Sequence, residues 1–299
     1  EDMSAFCNRE EASQLSSNSS LAQVVIGVRR SGKSTLCTKY LIDNGVTCAC
    51  VNFDDERLAA IQTDDLNRLV EAIYIVYGNV DGFFFDEIQN VDSWPLFVNR
   101  LLRQKKRIFL TGSNSKLLSN ELTTHLTGRH HKVRLFPFSF KEFARVKDVD
   151  TKALTTKGQA IIKRELSTYL MDGGLPEMLT ESDKQGYMMA LIEAIIKRDI
   201  CKCFKVRYPE VLQRLATYLI DNFSQEYNAT AVGKLLGISD HTIDTYIGYL
   251  QEAFLLLSVQ KFSYKSRDRI RDSKIFVIDN GFISNRTNTF STENQIGRA

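Results

Sequence analysis

The chain has 299 residues, 43% of them apolar and 25% charged, which is ordinary for a globular protein and enough for two or three hydrophobic cores. Its 39 basic and 36 acidic side chains leave a formal net charge of +3, so an affinity for nucleic acid would require a local basic patch. No run of eighteen apolar residues occurs, which excludes a transmembrane helix, and we expect no membrane partner.

The first half of the chain has the pattern of an α/β protein. Residues 1–20 are expected to be an N-terminal tail, because 16–20 form a polar, linker-like run. In residues 21–140 apolar strands alternate with helical patterns, which predicts a parallel sheet covered by helices on both faces. The predicted strands are Leu21–Ile26, Thr47–Phe53, Gly82–Phe85, Arg107–Thr111 and Lys132–Phe136. The predicted helices are Ser34–Asn44, Thr63–Tyr77, Ser93–Gln104 and Ser115–Thr127.

A glycine-containing loop, Gly-Val-Arg-Arg-Ser-Gly-Lys-Ser at 27–34, joins the first predicted strand to the first predicted helix. In this context backbone N–H groups and the positive end of a helix dipole point at one spot, which suits phosphate oxygens. Gly27 and Gly32 are expected where a Cβ would clash with the turn or the ligand. Lys33 would reach the β/γ-phosphates and the Ser34 hydroxyl would bind Mg²⁺. The loop therefore predicts a site for ATP with Mg²⁺.

Four other residues of this segment are candidates for nucleotide binding. Ser31 and Thr35 are expected to line the site beside the loop backbone. Arg29 and Arg30 occupy the variable positions, where they would contact phosphates or an acidic neighbour, or else be solvated. The sequence leaves these alternatives open.

Two carboxylates, Asp86 and Glu87, directly follow the apolar run Phe83-Phe84-Phe85. They would emerge at the carboxyl end of a central strand, where α/β sheets hold ligands. We expect Asp86 to hold Mg²⁺ and Glu87 to polarise a water for attack on the γ-phosphate. The pair favours a hydrolase over a small-molecule phosphotransferase. The alternative is an acidic helix start.

Two further candidates follow the next strand and the next helix. Ser113 or Asn114 would sense the γ-phosphate or hold the attacking water, and a capped turn is the alternative. Arg129 is expected to face a neighbouring subunit of a homo-oligomer and to stabilise transition-state charge in trans. A solvated or ion-paired arginine is equally compatible with the sequence.

Residues 141–206 have the pattern of a helical lid subdomain. Residues 156–170 are predicted to be helical, Gly173-Gly174 breaks that helix, and a longer helix begins at Asp183. The longer helix has one apolar face, which predicts core packing. Its members are Met188, Leu191, Ile192, Ile195, Ile196 and Ile200.

Residues 207–278 have the pattern of a winged helix. Helices are predicted at 211–223, 230–236 and 239–254, with Gly237 in the last turn and Ser239 as a cap. Strand-like segments follow at 255–262 and 274–278. Residues 279–299 would begin a further domain that is truncated here.

The segment 261–274, the predicted wing, is the candidate contact with DNA. It has a local excess of four positive charges, with Phe262 and Tyr264 among them. The helix before it, 239–252, has three acidic residues and no lysine or arginine, which suits a DNA groove poorly. We therefore predict DNA contact through the wing, with weak sequence selectivity. A winged helix used for protein contacts is the alternative.

Six cysteines occur, and four of them form the closely spaced pairs Cys48/Cys50 and Cys201/Cys203. One intervening residue is a poor spacing for zinc ligands, which usually lie two to four residues apart. We interpret these cysteines as reduced, buried thiols of a cytoplasmic protein. A four-cysteine metal site is the alternative.

These motifs together resemble one family. They are Gly-Val-Arg-Arg-Ser-Gly-Lys-Ser-Thr at 27–35, Phe-Asp-Glu-Ile-Gln-Asn at 85–90, Leu-Thr-Gly-Ser-Asn-Ser-Lys-Leu-Leu-Ser at 110–119, Leu-Thr-Gly-Arg at 126–129, Phe-Pro-Phe-Ser-Phe-Lys-Glu-Phe at 136–143, Gly-Gly-Leu-Pro-Glu at 173–177 and Ile-Asp-Asn-Gly-Phe at 278–282. The chain is similar to the AAA+ superfamily ATPases of bacteria and archaea whose core precedes a domain of unknown function.

The resemblance implies an ATPase core, a helical lid, a winged helix and a C-terminal domain akin to restriction-endonuclease folds. It assigns nucleotide and catalytic roles by position to Lys33, Ser34, Asp86, Glu87 and Asn114, with Arg129 as the candidate arginine finger. The segment 173–177 lacks the arginine that many AAA+ lids present to the γ-phosphate. That role has no candidate in the sequence.

The sequence therefore predicts an enzyme: a Mg²⁺-dependent ATPase that binds ATP and ADP and couples hydrolysis to DNA or partner binding through the winged helix. The alternative is a slow nucleotide-dependent switch or scaffold for protein partners, of the defence or toxin–antitoxin type, with little turnover.

Overall fold

The structure is a computed structural model that describes residues 6–113, 126, 128–225, 227–260 and 273–285. Asn114, nearly all of the helix predicted at 115–127 and most of the segment 261–274 lie outside the described residues. The chain divides into two compact units, one made of Glu1–Gly27 with Gly32–Leu135 and the other of Val28–Ser31 with Phe136–Ala299. The finer boundaries that the sequence suggests within the second unit stay predictions.

The first unit is built on a parallel five-stranded sheet with the strand order β2-β3-β4-β1-β5. The strands are β1 (Ala22–Ile26), β2 (Cys48–Asn52), β3 (Gly82–Asp86), β4 (Arg107–Gly112) and β5 (His130–Arg134). The helices between them are α1 (Lys33–Asp43), α2 (Asp65–Tyr77) and α3 (Trp94–Arg103). This confirms the predicted α/β fold with a parallel sheet.

The central strands are apolar along their whole length because both faces of a parallel sheet are covered. All five residues of β1 are buried, as are Phe83, Phe84 and Phe85 of β3. Strand β3 begins at Gly82, where a Cβ would lie 2.4 Å from the Arg107 carbonyl oxygen of β4. A residue larger than glycine therefore does not fit at position 82 without a shift of β4.

The register of the strands brings three strand ends to one edge of the sheet. Phe85 of β3 lies opposite Leu110 of β4, and Ile26 of β1 lies opposite Gly112. The residues that come next along the chain therefore share that edge. In open parallel sheets, ligands bind at this edge, outside the carboxyl ends of the strands. The residues at this edge include Gly27 after β1 and the last residue of β3, Asp86.

Part of the predicted N-terminal tail packs into the core of the first unit. Glu10–Gln14 forms a 3₁₀ turn, and Leu15 packs with Val25 and Phe109, with 6% of Leu15 exposed. The Ser17 backbone N–H donates to the Tyr40 hydroxyl at 2.9 Å. The polar run at 16–20 predicted a linker. The burial of Leu15 could not be predicted, because a single apolar residue gives no periodic pattern.

The second unit is mainly helical. Its helices are α4 (Phe140–Val146), α5 (Thr156–Asp172), α6 (Lys184–Ala194), α7 (Pro209–Asp221), α8 (Ala229–Leu236), α9 (Asp240–Glu252) and α10 (Gly281–Ser284). Helix α6 continues into a π-helical segment, Ile195–Cys201, and one more turn, Lys202–Phe204. All six members of the predicted apolar stripe between residues 188 and 200 are buried, which confirms their role in the core.

Two strands follow α9 and pair antiparallel, β6 (Leu256–Gln260) and β7 (Ser273–Val277). Helix α8 ends at Gly237 with φ +74°, and Ser239 caps α9 by accepting the Thr242 N–H at 3.2 Å. The glycine turn and the serine cap are confirmed. The segment between β6 and β7 lies outside the described residues, so the winged helix stays a prediction.

Neither a membrane span nor a metal cluster is found in the part of the chain that the structure describes. No described helix has both the length and the apolarity that crossing a membrane requires. No group of three His, Cys, Asp or Glu side chains in the same residues could hold a metal ion. Cys37, Cys48, Cys50 and Cys201 are free thiols. Cys37 is buried and burial raises its pKa, whereas Cys50 is exposed, so the predicted burial is wrong for Cys50.

Candidate functional site

The turn between β1 and α1 has the geometry that the sequence predicted for its second glycine. Gly32 precedes α1 with φ +89°, a left-handed conformation that glycine adopts without the penalty of a Cβ. Its carbonyl accepts the Leu36 N–H at 2.9 Å and so begins the helix. Lys33, Ser34 and Thr35 form the first turn, where backbone N–H groups have no partner within the helix. Such a turn is able to bind an anion.

The Lys33 ammonium lies beside this turn. Its Nζ donates to the Gly27 carbonyl at 3.2 Å, and only 6% of the residue is exposed. Burial raises the pKa of Asp86, and the positive charge of Lys33 is one of the influences that oppose that increase. The predicted lysine and the predicted Mg²⁺ carboxylate are therefore brought together in the first unit.

Asp86 is a half-buried carboxylate with two hydroxyl partners. Burial raises its pKa, and hydrogen bonds from Thr111 and Ser34 oppose that increase. A hydroxyl and a carboxylate are hard oxygen donors of the kind that Mg²⁺ prefers. A divalent cation at this position would also stabilise the ionised form that burial disfavours. Ser34 and Asp86 thus fit a magnesium ion by the chemistry of their donors.

Glu87 lies beside Asp86 and contacts the end of β4. Its backbone N–H donates to the Thr111 hydroxyl at 3.3 Å. Its carboxylate oxygen Oε2 accepts from the backbone N–H and the hydroxyl of Ser113, at 3.4 and 3.3 Å. Ser113, one of the two candidates after β4, therefore contacts the predicted catalytic carboxylate. Asn114, the other candidate, lies outside the described residues.

The two loop arginines both bind acidic neighbours. Arg29 forms a forked pair with Asp199, with Nε to Oδ2 at 3.1 Å and Nη2 to Oδ1 at 2.9 Å. Arg30 donates to the Glu177 carboxylate at 2.8 Å, and the Tyr187 hydroxyl donates to the other oxygen of that carboxylate at 2.7 Å. Both arginines therefore have an acidic neighbour, and Arg30 is also exposed to solvent, with 56% of its side chain accessible. A role for either arginine toward phosphate stays a prediction.

Ser31 and Arg129 are placed differently. Ser31 is fully buried, and its backbone N–H donates to the Val28 carbonyl at 3.2 Å within the loop. Arg129 is exposed just before β5, and its guanidinium donates to Asn99 of α3 at 2.8 Å. An exposed arginine is compatible with a role toward a neighbouring subunit, and that role stays a prediction.

Sequence reasoning missed several residues of this arrangement. Thr111 had one usable signal, because it is a polar residue at the end of an otherwise apolar strand. Gln89, Glu177 and Asp199 had none, because a single polar side chain in a helical or turn pattern does not reveal its partner in the fold.

Two family models match the chain. The first, described as an AAA domain, matches residues 19–144. The second, described as a domain of unknown function (DUF8612), matches residues 163–293. The order of the two agrees with the family resemblance inferred from the motifs. Similarity of the second region to restriction endonucleases is not part of either match.

Two curated relatives, both described as uncharacterized proteins, match most of the chain. A protein of Methanocaldococcus jannaschii is 35% identical over an alignment of 270 residues that covers 86% of this chain and 60% of that protein. A protein of Haemophilus influenzae is 30% identical over an alignment of 275 residues that covers 87% of this chain and 67% of that protein. The chain thus spans about two thirds or less of the length of these relatives.

Solved structures give more distant matches. The Thermotoga maritima RuvB Holliday junction branch migration motor has a TM-score of 0.39 at 16% identity, over 80% of this chain and 82% of that one. The Aeropyrum pernix ORC1 protein in complex with DNA has a TM-score of 0.37 at 9% identity, over 86% and 83%. The chain belongs to the same family as the Haemophilus influenzae protein, and its residues 19–144 match the AAA domain model.

Proposed function

We propose that this chain binds ATP with Mg²⁺ and hydrolyses the γ-phosphate. The observation that carries the proposal is the shared sheet edge of the first unit, where Lys33, Ser34, Asp86 and Glu87 combine an ammonium, a hydroxyl and two carboxylates. In this proposal the first turn of α1 and Lys33 bind the phosphates, while Ser34 and Asp86 hold the ion. When bound, Mg²⁺ supplies positive charge that offsets the charge of the phosphate oxygens.

Glu87 acts as the base in the same proposal. Its carboxylate orients a water toward the γ-phosphate and takes up the proton that the water loses. Asp86 is assigned to the cation because the hydroxyl of Ser34, the other proposed magnesium ligand, is hydrogen-bonded to its carboxylate. The Thr111 hydroxyl donates to Oδ1 of the same carboxylate. The two adjacent carboxylates therefore have separate tasks.

Replacement of Glu87 tests the hydrolytic step. Glu87→Gln keeps the size of the side chain and removes its basicity, so ATP binding should persist while steady turnover falls by a factor of about a hundred or more. Lys33→Ala should instead abolish binding. Calorimetric titration with ATP and Mg²⁺ measures the first property and phosphate release the second. Unchanged turnover in Glu87→Gln would contradict the assignment.

The partner is the second part of the proposal. We propose that the chain contacts duplex DNA through the basic segment 261–274, as the charge excess of that segment supports. Turnover with and without duplex DNA distinguishes a DNA-coupled ATPase from a slow switch that acts on protein partners. Simultaneous change of Arg267, Arg269 and Arg271 to glutamate should weaken DNA binding and flatten its dependence on salt. Equal salt slopes for both proteins would exclude DNA contact by this segment.

A further inference from the structure

Glu87 has a backbone conformation that its surroundings must maintain. Its φ and ψ angles are 51° and 42°, in the left-handed region that side chains other than glycine rarely adopt. Conformations of this kind cost free energy and persist where neighbouring contacts determine them. The 3₁₀ turn Ile88–Asn90 follows directly, and the fully buried Ile88 anchors it. The turn directs the next polar side chain, Gln89, back toward Glu87.

The Gln89 amide nitrogen donates to the Glu87 carboxylate oxygen Oε2. The same oxygen accepts from the backbone N–H and the hydroxyl of Ser113. Oε2 thus has three donors, which come from two separate elements of the first unit. The amide cannot be turned around, because its own oxygen would then face a carboxylate oxygen.

The oxygen of the Gln89 side-chain amide, in contrast to its nitrogen, makes no hydrogen bond with the described residues. This atom, Oε1, is buried from solvent. A buried carbonyl oxygen without a partner destabilises the folded chain. A glutamine that contributed only to stability would not be expected at this position. The hydrogen bond to Glu87 therefore explains why a glutamine stands at position 89.

We propose that Gln89 is a positioning residue for the hydrolytic step, an inference that rests on the proposed ATPase function. Gln89 and Ser113 fix Oε2 of Glu87, and this leaves Oε1 as the oxygen that accepts the proton of the attacking water. Fixing one carboxylate oxygen in this way sets the orientation of the other. Gln89 itself contacts neither nucleotide nor water in this proposal.

The test is Gln89→Met, which keeps the length of the side chain and removes both the donor and the unsatisfied acceptor. We expect kcat for ATP hydrolysis to fall about tenfold or more, because the carboxylate loses its fixed orientation, while the Kd for ATP stays unchanged. The midpoint of thermal unfolding should stay the same or rise. Gln104→Met, the same change at the exposed end of α3, is the matched control and should keep full turnover.

Two more variants separate positioning from a structural role. In a Glu87→Gln background, Gln89→Met should produce no further loss of turnover, because its effect passes through Glu87. Ser113→Ala removes another donor to Oε2 and should lower kcat in the same direction even where Gln89→Met folds poorly.

The outcomes are distinguishable from failure of the proposed function. A wild-type chain that binds ATP without turnover removes the proposed function and this inference with it. A wild-type chain that hydrolyses ATP, with equal or faster turnover in Gln89→Met, overturns the inference alone. Additive losses from Gln89→Met and Glu87→Gln would also overturn it.

Discussion

Asp279 connects two glycine-containing motifs of the second unit, at 173–174 and 279–281, that lie outside the proposed nucleotide site. The carboxylate is buried, and it accepts the Gly174 N–H at 2.7 Å and the Gly281 N–H at 2.8 Å. A Cβ at Gly173 would lie 1.8 Å from Asp279 Oδ1, so no larger residue fits without a shift. The Gly-Gly motif at 173–174 and the Asp-Asn-Gly motif at 279–281 are therefore two halves of one contact.

This contact makes the stability of the second unit depend on pH. Burial raises the pKa of Asp279 to about 6, although the two backbone hydrogen bonds oppose the increase. Between about pH 4 and 6 the folded chain therefore holds a proton that the unfolded chain has lost. The contribution of Asp279 to stability is thus largest below pH 4 and falls as pH rises to 6, by a free energy on the order of 3 kcal/mol.

Comparison with Asp279→Asn measures the effect. The free energy of unfolding of the wild type minus that of the variant should fall between pH 4 and pH 6.5 and then stay level, because the asparagine does not titrate. Urea unfolding at four or five pH values gives this difference. The exposed Asp148→Asn controls for the chemical change in the same unit. Parallel curves for the wild type and Asp279→Asn would contradict the prediction.

At the residue scale, the sequence predicted that Lys33, Ser34 and Asp86 share one edge of the sheet, and it missed the side chains that contact these residues and Glu87. Their roles toward a nucleotide stay predictions. Lys33, Ser34 and Asp86 could be predicted because each follows a strand end or opens a helix in a recognisable motif. Gln89 could not, because its contact depends on the left-handed backbone at Glu87, which no local pattern indicates. Positioning contacts of this kind come from the fold and leave no periodic signal.

At the scale of elements, the π-helical segment Ile195–Cys201 determines where the buried Asp199 lies. A π-helical turn changes the face on which side chains lie, and such turns are frequent at functional positions. Within this segment Asp199 is 4% exposed although it lies among buried isoleucines. The forked pair with Arg29 compensates this buried charge. The segment therefore holds one of the loop arginines in the second unit.

Removal of one partner should be costly. Asp199→Asn leaves the Arg29 charge with a neutral partner, and we expect a loss of about 2 kcal/mol in the free energy of unfolding. This is below the usual range for a buried pair because 19% of the Arg29 side chain is exposed. Glu193→Gln, in the exposed pair with Lys197, is the matched control and should cost little. Denaturant unfolding compares the two, and equal effects would show that burial of Asp199 is irrelevant.

The predicted strands of the parallel sheet are all present, with ends that differ by one or two residues. Helical periodicity likewise predicted the buried stripe between 188 and 200. It could not predict the π-helical winding, because an apolar stripe looks the same in sequence when one turn is widened. Nor could it predict the strand order, which depends on pairing between distant segments.

At the scale of the whole molecule, the first unit contains most of the residues of the proposed hydrolytic site. Lys33, Glu87 and Arg129 all belong to it. Arg129 is exposed and donates to Asn99, so its guanidinium is already oriented by α3. An arginine that acts on a neighbouring subunit requires a head-to-tail contact between copies of the chain. A trans role for Arg129 therefore requires that copies of the chain assemble, in addition to the chemistry of the site.

Mixing two inactive variants tests this proposal. Arg129→Ala should bind ATP but lose most of its turnover, since an arginine finger contributes a factor of about a thousand or more. Glu87→Gln should be inactive for a different reason, the loss of its base. In a mixed assembly, an Arg129→Ala subunit keeps its Glu87 and receives Arg129 from a Glu87→Gln neighbour. An equal mixture with random order should regain roughly a quarter of wild-type turnover, because about one contact in four has this composition.

Phosphate release from the mixture, measured over a range of total protein concentrations, gives the result. Recovered turnover should increase with total protein concentration, since a higher concentration favours assembly. Arg103→Ala, an exposed arginine at the end of α3, controls for the loss of a surface charge and should keep full turnover alone. If Arg129→Ala alone retains wild-type turnover, the finger role is wrong. If both variants are inactive and their mixture stays inactive at concentrations where sizing shows an assembly, Arg129 acts within its own subunit, because only a trans contact permits complementation.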